Sequence, residues 1–173
     1  MNVKKMLNKN LLLIIGFILL GILTRIIPHP PNFTALGAIA LFGGAFIQNK
    51  KIAFTMPMLI MIASDFLLGY NITASVYLGF LIMVFIGMYL QKKQNSLRII
   101  NAALIGSLIF FVITNFSVFL TSSLYPKSIG GLVECYTLAI PFFINTLSSN
   151  IIYSLIMFYG YNAIHKRIII RSY

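Results

Sequence analysis

The stretch RIIPHPPNFTALGAIALFGGAF, residues 25–46, decides the fold. Its second half, from Asn32 onward, is built of Ala, Gly, Leu, Ile and Phe without a charge. Small residues at this density let helix backbones approach closely inside a membrane. The run is shorter than the roughly 20 residues that a spanning helix wants. A segment this short and this small is expected to lie enclosed among longer helices. Its first half ends an apolar run at Arg25 and then interrupts the chain with Pro28, His29, Pro30 and Pro31. Proline fixes φ and biases the preceding residue toward extended backbone, so this connection is expected to be stiff.

The rest of the chain is equally apolar. Of 173 residues, 60% are hydrophobic and 9% charged, against roughly 45–50% and about 25% in an average soluble domain. A soluble helical protein needs polar helix faces, and most of these runs are apolar all round. The net charge of +11 does not read as a nucleic-acid footprint, because the basic residues sit between greasy runs and not on a wetted face. A single cysteine, Cys135, excludes an internal disulfide and a Cys/His metal cluster. No cofactor or metal is expected. The abundance of Lys, Asn and Ile suggests AT-rich coding and a prokaryotic source.

Six apolar segments lie between turn or charge signals: 11–27, 33–47, 52–70, 74–90, 99–121 and 137–160. They predict an all-α polytopic membrane protein, with six transmembrane helices in one bundle forming a single domain over 1–173. Lys4, Lys5 and Lys9, then Lys50 and Lys51, then Lys92, Lys93 and Arg98, then His165, Lys166, Arg167 and Arg171 all fall in alternate connections. Positively charged loops stay inside, which places both termini in the cytoplasm of a cell whose plasma (inner) membrane the chain crosses. The N-terminus resembles a signal peptide, but no small-x-small cleavage site follows before Arg25. Pro57 and Pro141 fall in the first turn or so of their segments, where a missing amide hydrogen costs least.

Asp65 is the one acid inside a span, and an intramembrane carboxylate costs about 2.5–3.5 kcal/mol on insertion scales. Arg25 is expected at similar depth, so the two form a geometrically allowed pair. Asn115, Asn145, His29 and Asn32 fall in the same outer half, with Ser148 and Ser149 following Asn145. Two readings remain open. The polar groups act as glue between helices, with Arg25 and Asp65 a structural ion pair, or they converge on an outward-opening pocket. In the second reading Arg25, His29, Asn32, Asp65, Asn115 and Asn145 are the substrate-binding residues. Phe111, Phe119 and Phe142 supply apolar walls, and Arg25 and Lys127 attract an anionic ligand. The connection 124–136, with Gly130 and Gly131, is the better candidate for a moving gate, with an ordinary flexible loop as the equal alternative.

No nucleophile elbow, zinc-protease helix, phosphate loop or dinucleotide fingerprint occurs. The two histidines are expected on opposite sides of the membrane, so the chain reads as a non-enzyme. The block 25–46, followed by PMLIMIASDFLLGYN at 57–71, resembles a family of small uncharacterised prokaryotic integral membrane proteins. That family in turn is similar to the substrate-binding S components of energy-coupling-factor (ECF) transporters. The resemblance implies a six-helix subunit that captures a small molecule such as a vitamin from outside. It also implies a transmembrane coupling protein and cytoplasmic ATPases as partners, besides the lipid bilayer. A scaffolding protein of the cell envelope and a stand-alone ion-coupled carrier are the competing expectations.

Overall fold

A computed structural model describes residues 3–170, with side chains described over 14–163. Lys4, Lys5, Lys9, His165, Lys166, Arg167 and Arg171 lie outside the described side chains. The fold is all-helical, with no strand among the described residues. Its six helices are α1 (Val3–Ile26), α2 (Leu36–Phe46), α3 (Lys50–Leu68), α4 (Ala74–Tyr89), α5 (Ser96–Thr121) and α6 (Ile129–Ile170). Among the described residues, three helices are long and apolar enough to cross a membrane: Lys50–Leu68, Ser96–Thr121 and Ile129–Ala163.

The helix ends carry their own signals. Asn49 accepts hydrogen bonds from the Lys51 and Ile52 amides, and Asn95 accepts one from the Arg98 amide, so both act as N-caps. Gly69, at φ 69°, closes α3 in the left-handed conformation. The Tyr70 amide donates to the Asp65 carbonyl at 2.9 Å and the Gly69 amide to that of Phe66, the paired closure that a glycine after a helix permits. This closure places the Asp65 side chain one turn from the end of α3.

The short helix α2 is the axis of the molecule. Every residue from Leu36 to Ala45 is buried, and α2 packs against all five other helices. Around it α1 lies beside α3, α3 beside α4, α4 beside α5 and α5 beside α6. The approach to α4 is the closest, because glycines meet backbone from both sides. A Cβ on Gly44 would run into the Val84 carbonyl, and a Cβ on Gly87 into that of Leu41. Farther along, Phe42 is ringed by Phe17, Phe46, Phe158 and Tyr161 at centroid distances of 4.5–5.4 Å. The outward faces are lined instead with large apolar side chains, among them Leu19, Phe66, Phe85, Leu104, Phe116 and Ile156.

Two expectations are corrected. Pro57 and Pro141 lie inside α3 and α6, not in their first turns: α3 starts at Lys50, slightly before the expected segment, and α6 starts at Ile129, well before the expected 137. At Pro57 the freed Ala53 carbonyl faces Gly43 of α2, where a Cβ would sit 3.6 Å away. Likewise the connection expected at 124–136 is mostly helix. Ser128 accepts a hydrogen bond from the Gly131 amide at 3.2 Å and starts α6 as its N-cap. Gly130 and Gly131 are therefore first-turn residues, and Gly131 is needed for its close approach to the Pro126 carbonyl. That local contact removes the glycine pair from the expected gate.

Candidate functional site

Eleven residues of α2 rise only about 16 Å at 1.5 Å each, whereas a 26-residue helix such as α5 rises about 39 Å. The longer helices continue past the N-terminus of α2, and among the described residues none fills the space between them there. The result is a cavity of about 650 Å³, within the roughly 300–1,000 Å³ of small-molecule sites. Leu36 and Gly37 of α2 line it, together with side chains from all five other helices and from the loops 27–35 and 69–73.

The polar centre of the wall is an ion pair. Arg25 Nη2 lies 2.7 Å from Asp65 Oδ1, with side-chain exposures of only 14% and 5%. Arg25 Nη1 donates to Ser64 Oγ at 2.5 Å and lies 3.1 Å from the Met61 sulfur and 3.4 Å from the Met61 carbonyl. Ser64 in turn donates to the Ile60 carbonyl at 2.5 Å. The second carboxylate oxygen of Asp65 accepts from the Tyr77 hydroxyl at 2.9 Å. One network therefore joins the ends of α1, α3 and α4, and it meets the requirement that a buried charge be paired and hydrogen-bonded.

The proline-rich connection is tied across its ends and again at its middle. Thr24 Oγ1 accepts from the Ala35 amide at 3.2 Å, and Asn145 Nδ2 donates to the Pro31 carbonyl at 3.0 Å. Asn32 takes the left-handed conformation at φ 65°, and the Phe33 amide closes back onto the Pro30 carbonyl at 2.9 Å. His29, with Nδ1 2.8 Å from the Pro30 carbonyl, and Asn32 both line the cavity.

Of the six expected binding residues, Arg25, His29, Asn32, Asp65 and Asn115 line this cavity. Asn145 is placed outside it and fastens the loop to α6 instead. Asn115 uses its amide nitrogen on the Phe111 carbonyl of its own helix at 2.8 Å, leaving its amide oxygen without a partner among the described residues. Phe111 and Phe142 are in the wall, but Phe119 is not. Lys127 is also elsewhere: it donates to the Phe119 and Ser122 carbonyls at the end of α5 and stands over the Phe119 ring. Ser149 bonds the Thr146 carbonyl of its own helix at 3.0 Å.

Sequence reasoning passed over Tyr77, Ser64 and Asn150. Asn150 is 2% exposed and donates to Ser107 Oγ at 2.9 Å, while its carbonyl oxygen occupies the space beside Gly37 where a Cβ would go. The signal for Asn150 was its place on α6 after Ser148 and Ser149. Tyr77 carries none, since tyrosine near a helix end is ordinary in a membrane protein. Among the described residues no cluster of three His, Cys, Asp or Glu side chains could hold a metal ion. Nothing among curated proteins or solved structures matches the chain. The chain belongs to the family of unknown function DUF6580, which residues 5–171 match.

Proposed function

Starting from a family of unknown function and a cavity at one end of the helices, we propose that this chain is a membrane solute-binding subunit. It spans the plasma membrane six times with both termini inside, and it takes a small molecule from the outer side for uptake. The observation that carries this reading is the cavity itself: drug-sized, walled by all six helices, and floored by a buried helix too short to fill the axis. Its end of the molecule is poor in exposed cations. Lys50, Lys51, Lys92, Lys93 and Arg98 are all exposed at the opposite ends of α3, α4 and α5, and the positive-inside rule then turns the cavity outward. The apolar outward faces of the helices suit a lipid surround.

In this reading the chain is of S-component type, working with a transmembrane coupling protein and cytoplasmic ATPases. Native mass spectrometry of the chain purified in mild detergent tests it. A stoichiometric small molecule that leaves on denaturation is expected. An empty protein that no member of a vitamin and metabolite panel stabilises against heat would end this reading.

A second reading, an envelope scaffold whose polar groups only join helices, is favoured by one observation. Arg25, Asp65, Asn145 and Ser149 all spend their hydrogen bonds inside the protein. The two readings part on Asn115: in a scaffold Asn115→Ala changes nothing but stability, whereas in a binding subunit it weakens ligand retention.

A further inference from the structure

Charge counting within the cavity separates the solutes it suits from those it does not. Arg25 has both terminal nitrogens committed and its charge offset at 2.7 Å by Asp65. Asp65 has both oxygens committed, one to Arg25 and one to Tyr77. Lys127, the other cation expected to attract an anion, caps α5 outside the wall, and Glu134 is likewise absent from the wall. His29 also lines the wall, with Nδ1 against the Pro30 carbonyl. The buried ion pair leaves no full charge free, and a solute with a net charge would lose hydration there without a fixed countercharge, which is costly.

What the wall does offer is donors and rings. The amide of Ala35 goes to Thr24, but among the described residues nothing accepts from the amides of Leu36, Gly37 and Ala38. No side chain caps this buried helix start, and free first-turn amides point outward along the axis, here into the cavity that Leu36 and Gly37 line. Their partial positive charge, about half a unit at most, suits a carbonyl oxygen. Beside them stand two packed ring pairs of the wall, Phe80 with Phe110 and Phe111 with Phe143, each at 5.0 Å between centroids. Such rings favour a flat partner.

Building on the solute-binding reading, we propose that the ligand is a net-uncharged planar ring compound bearing carbonyl acceptors. Its ring stacks on the phenylalanines of α4, α5 and α6, and a carbonyl oxygen meets the first-turn amides of α2. The Arg25–Asp65 pair acts by cancelling charge, not by holding the solute.

The test uses the full chain, stripped of bound solute in mild detergent, with four probes of similar size: 2-quinolone, naphthalene-2-carboxamide, naphthalene-2-carboxylate and 2-naphthylmethylammonium. Affinity is read by calorimetry and by thermal shift. The two uncharged carbonyl compounds are expected to bind at least about tenfold more tightly than either ion. Phe111→Leu should weaken them about three- to tenfold. Asp65→Asn, which leaves Arg25 unpaired, should turn the preference toward the carboxylate. Should that variant fail to fold, Asn115→Lys places a cation on the α5 wall with the same expected turn. Equal or tighter binding of the carboxylate or the ammonium by the unmodified chain overturns the proposal. Binding of none of the four, by a protein that still copurifies with a small molecule, also overturns it while leaving solute binding intact. Binding of none, with nothing copurifying, ends both.

Discussion

Asp65 is buried and Arg25 largely so, in a place that would reject either charge singly. Removing one partner of such a pair strands the other charge, at a cost of about 3–5 kcal/mol. Arg25→Gln and Asp65→Asn are each expected to lower the thermal stability of the detergent-solubilised protein by that order. The double variant should lose less than the sum, because neither charge is then left alone. A double-mutant cycle by thermal melting measures the coupling, and additive losses would mean that the pair does not form. Tyr77→Phe removes the hydrogen bond to the second carboxylate oxygen and should cost about 1.5–3 kcal/mol, read in the same melts. Asn145→Ala frees Pro31; because this bond is exposed, the expected loss is about 0.5–1.5 kcal/mol.

At the scale of the elements, the crossing of α2 and α4 is the least forgiving contact. Each helix presents a glycine to the other's backbone carbonyl, so a methyl group at Gly44 or Gly87 has no flexible side chain to displace. Gly44→Ala or Gly87→Ala must push the helices apart, and forced overpacking costs about 1–3 kcal/mol, at times more. Gly16, on α1, meets nothing within 4 Å. Gly16→Ala should be neutral or stabilising by up to about 1 kcal/mol, through helix propensity alone. Parallel melting of the three variants checks the contrast, and equal losses at Gly16 and Gly44 would refute the packing argument.

For the whole molecule the deciding question is which end faces out. In the proposed orientation the loops 27–35, 69–73 and 122–128 are external, and 47–49 and 90–95 are cytoplasmic. Cys135 is buried, so a Cys135→Ala background allows single exposed cysteines to be placed at will. Asn71→Cys is expected to react with a membrane-impermeant maleimide on intact cells, and Lys93→Cys only after lysis. The reverse pattern would turn the cavity toward the cytoplasm and remove the uptake reading. Because Asn71 lines the mouth of the cavity, bound solute should slow its labelling.

Much of the fold was legible from residue order. Hydropathy marked six helices close to those observed, since apolar runs and the charges between them reflect local chemistry that needs no neighbour to interpret. The glycine- and alanine-rich run marked α2 as an enclosed helix for the same reason: small side chains announce close packing wherever they lie. Depth along a helix, countable at 1.5 Å per residue, made the Arg25–Asp65 pair predictable. The backward extension of α6 ahead of Pro141 was hidden, because proline signals a start as readily as a tolerated interior position. Rotation about the helix axes was hidden as well, and it decided the site. It turned Asn145 to the loop and brought Tyr77 and Asn150 inward, while the loop after α5 folded Lys127 back onto the end of that helix. Residue order by itself determined that the chain is helical, how it is segmented and which segment is enclosed. Only the tertiary structure decided that the enclosed helix stops short of its neighbours and that the charges beside the resulting cavity cancel, because length mismatch and pairing are relations between segments, not properties of any one.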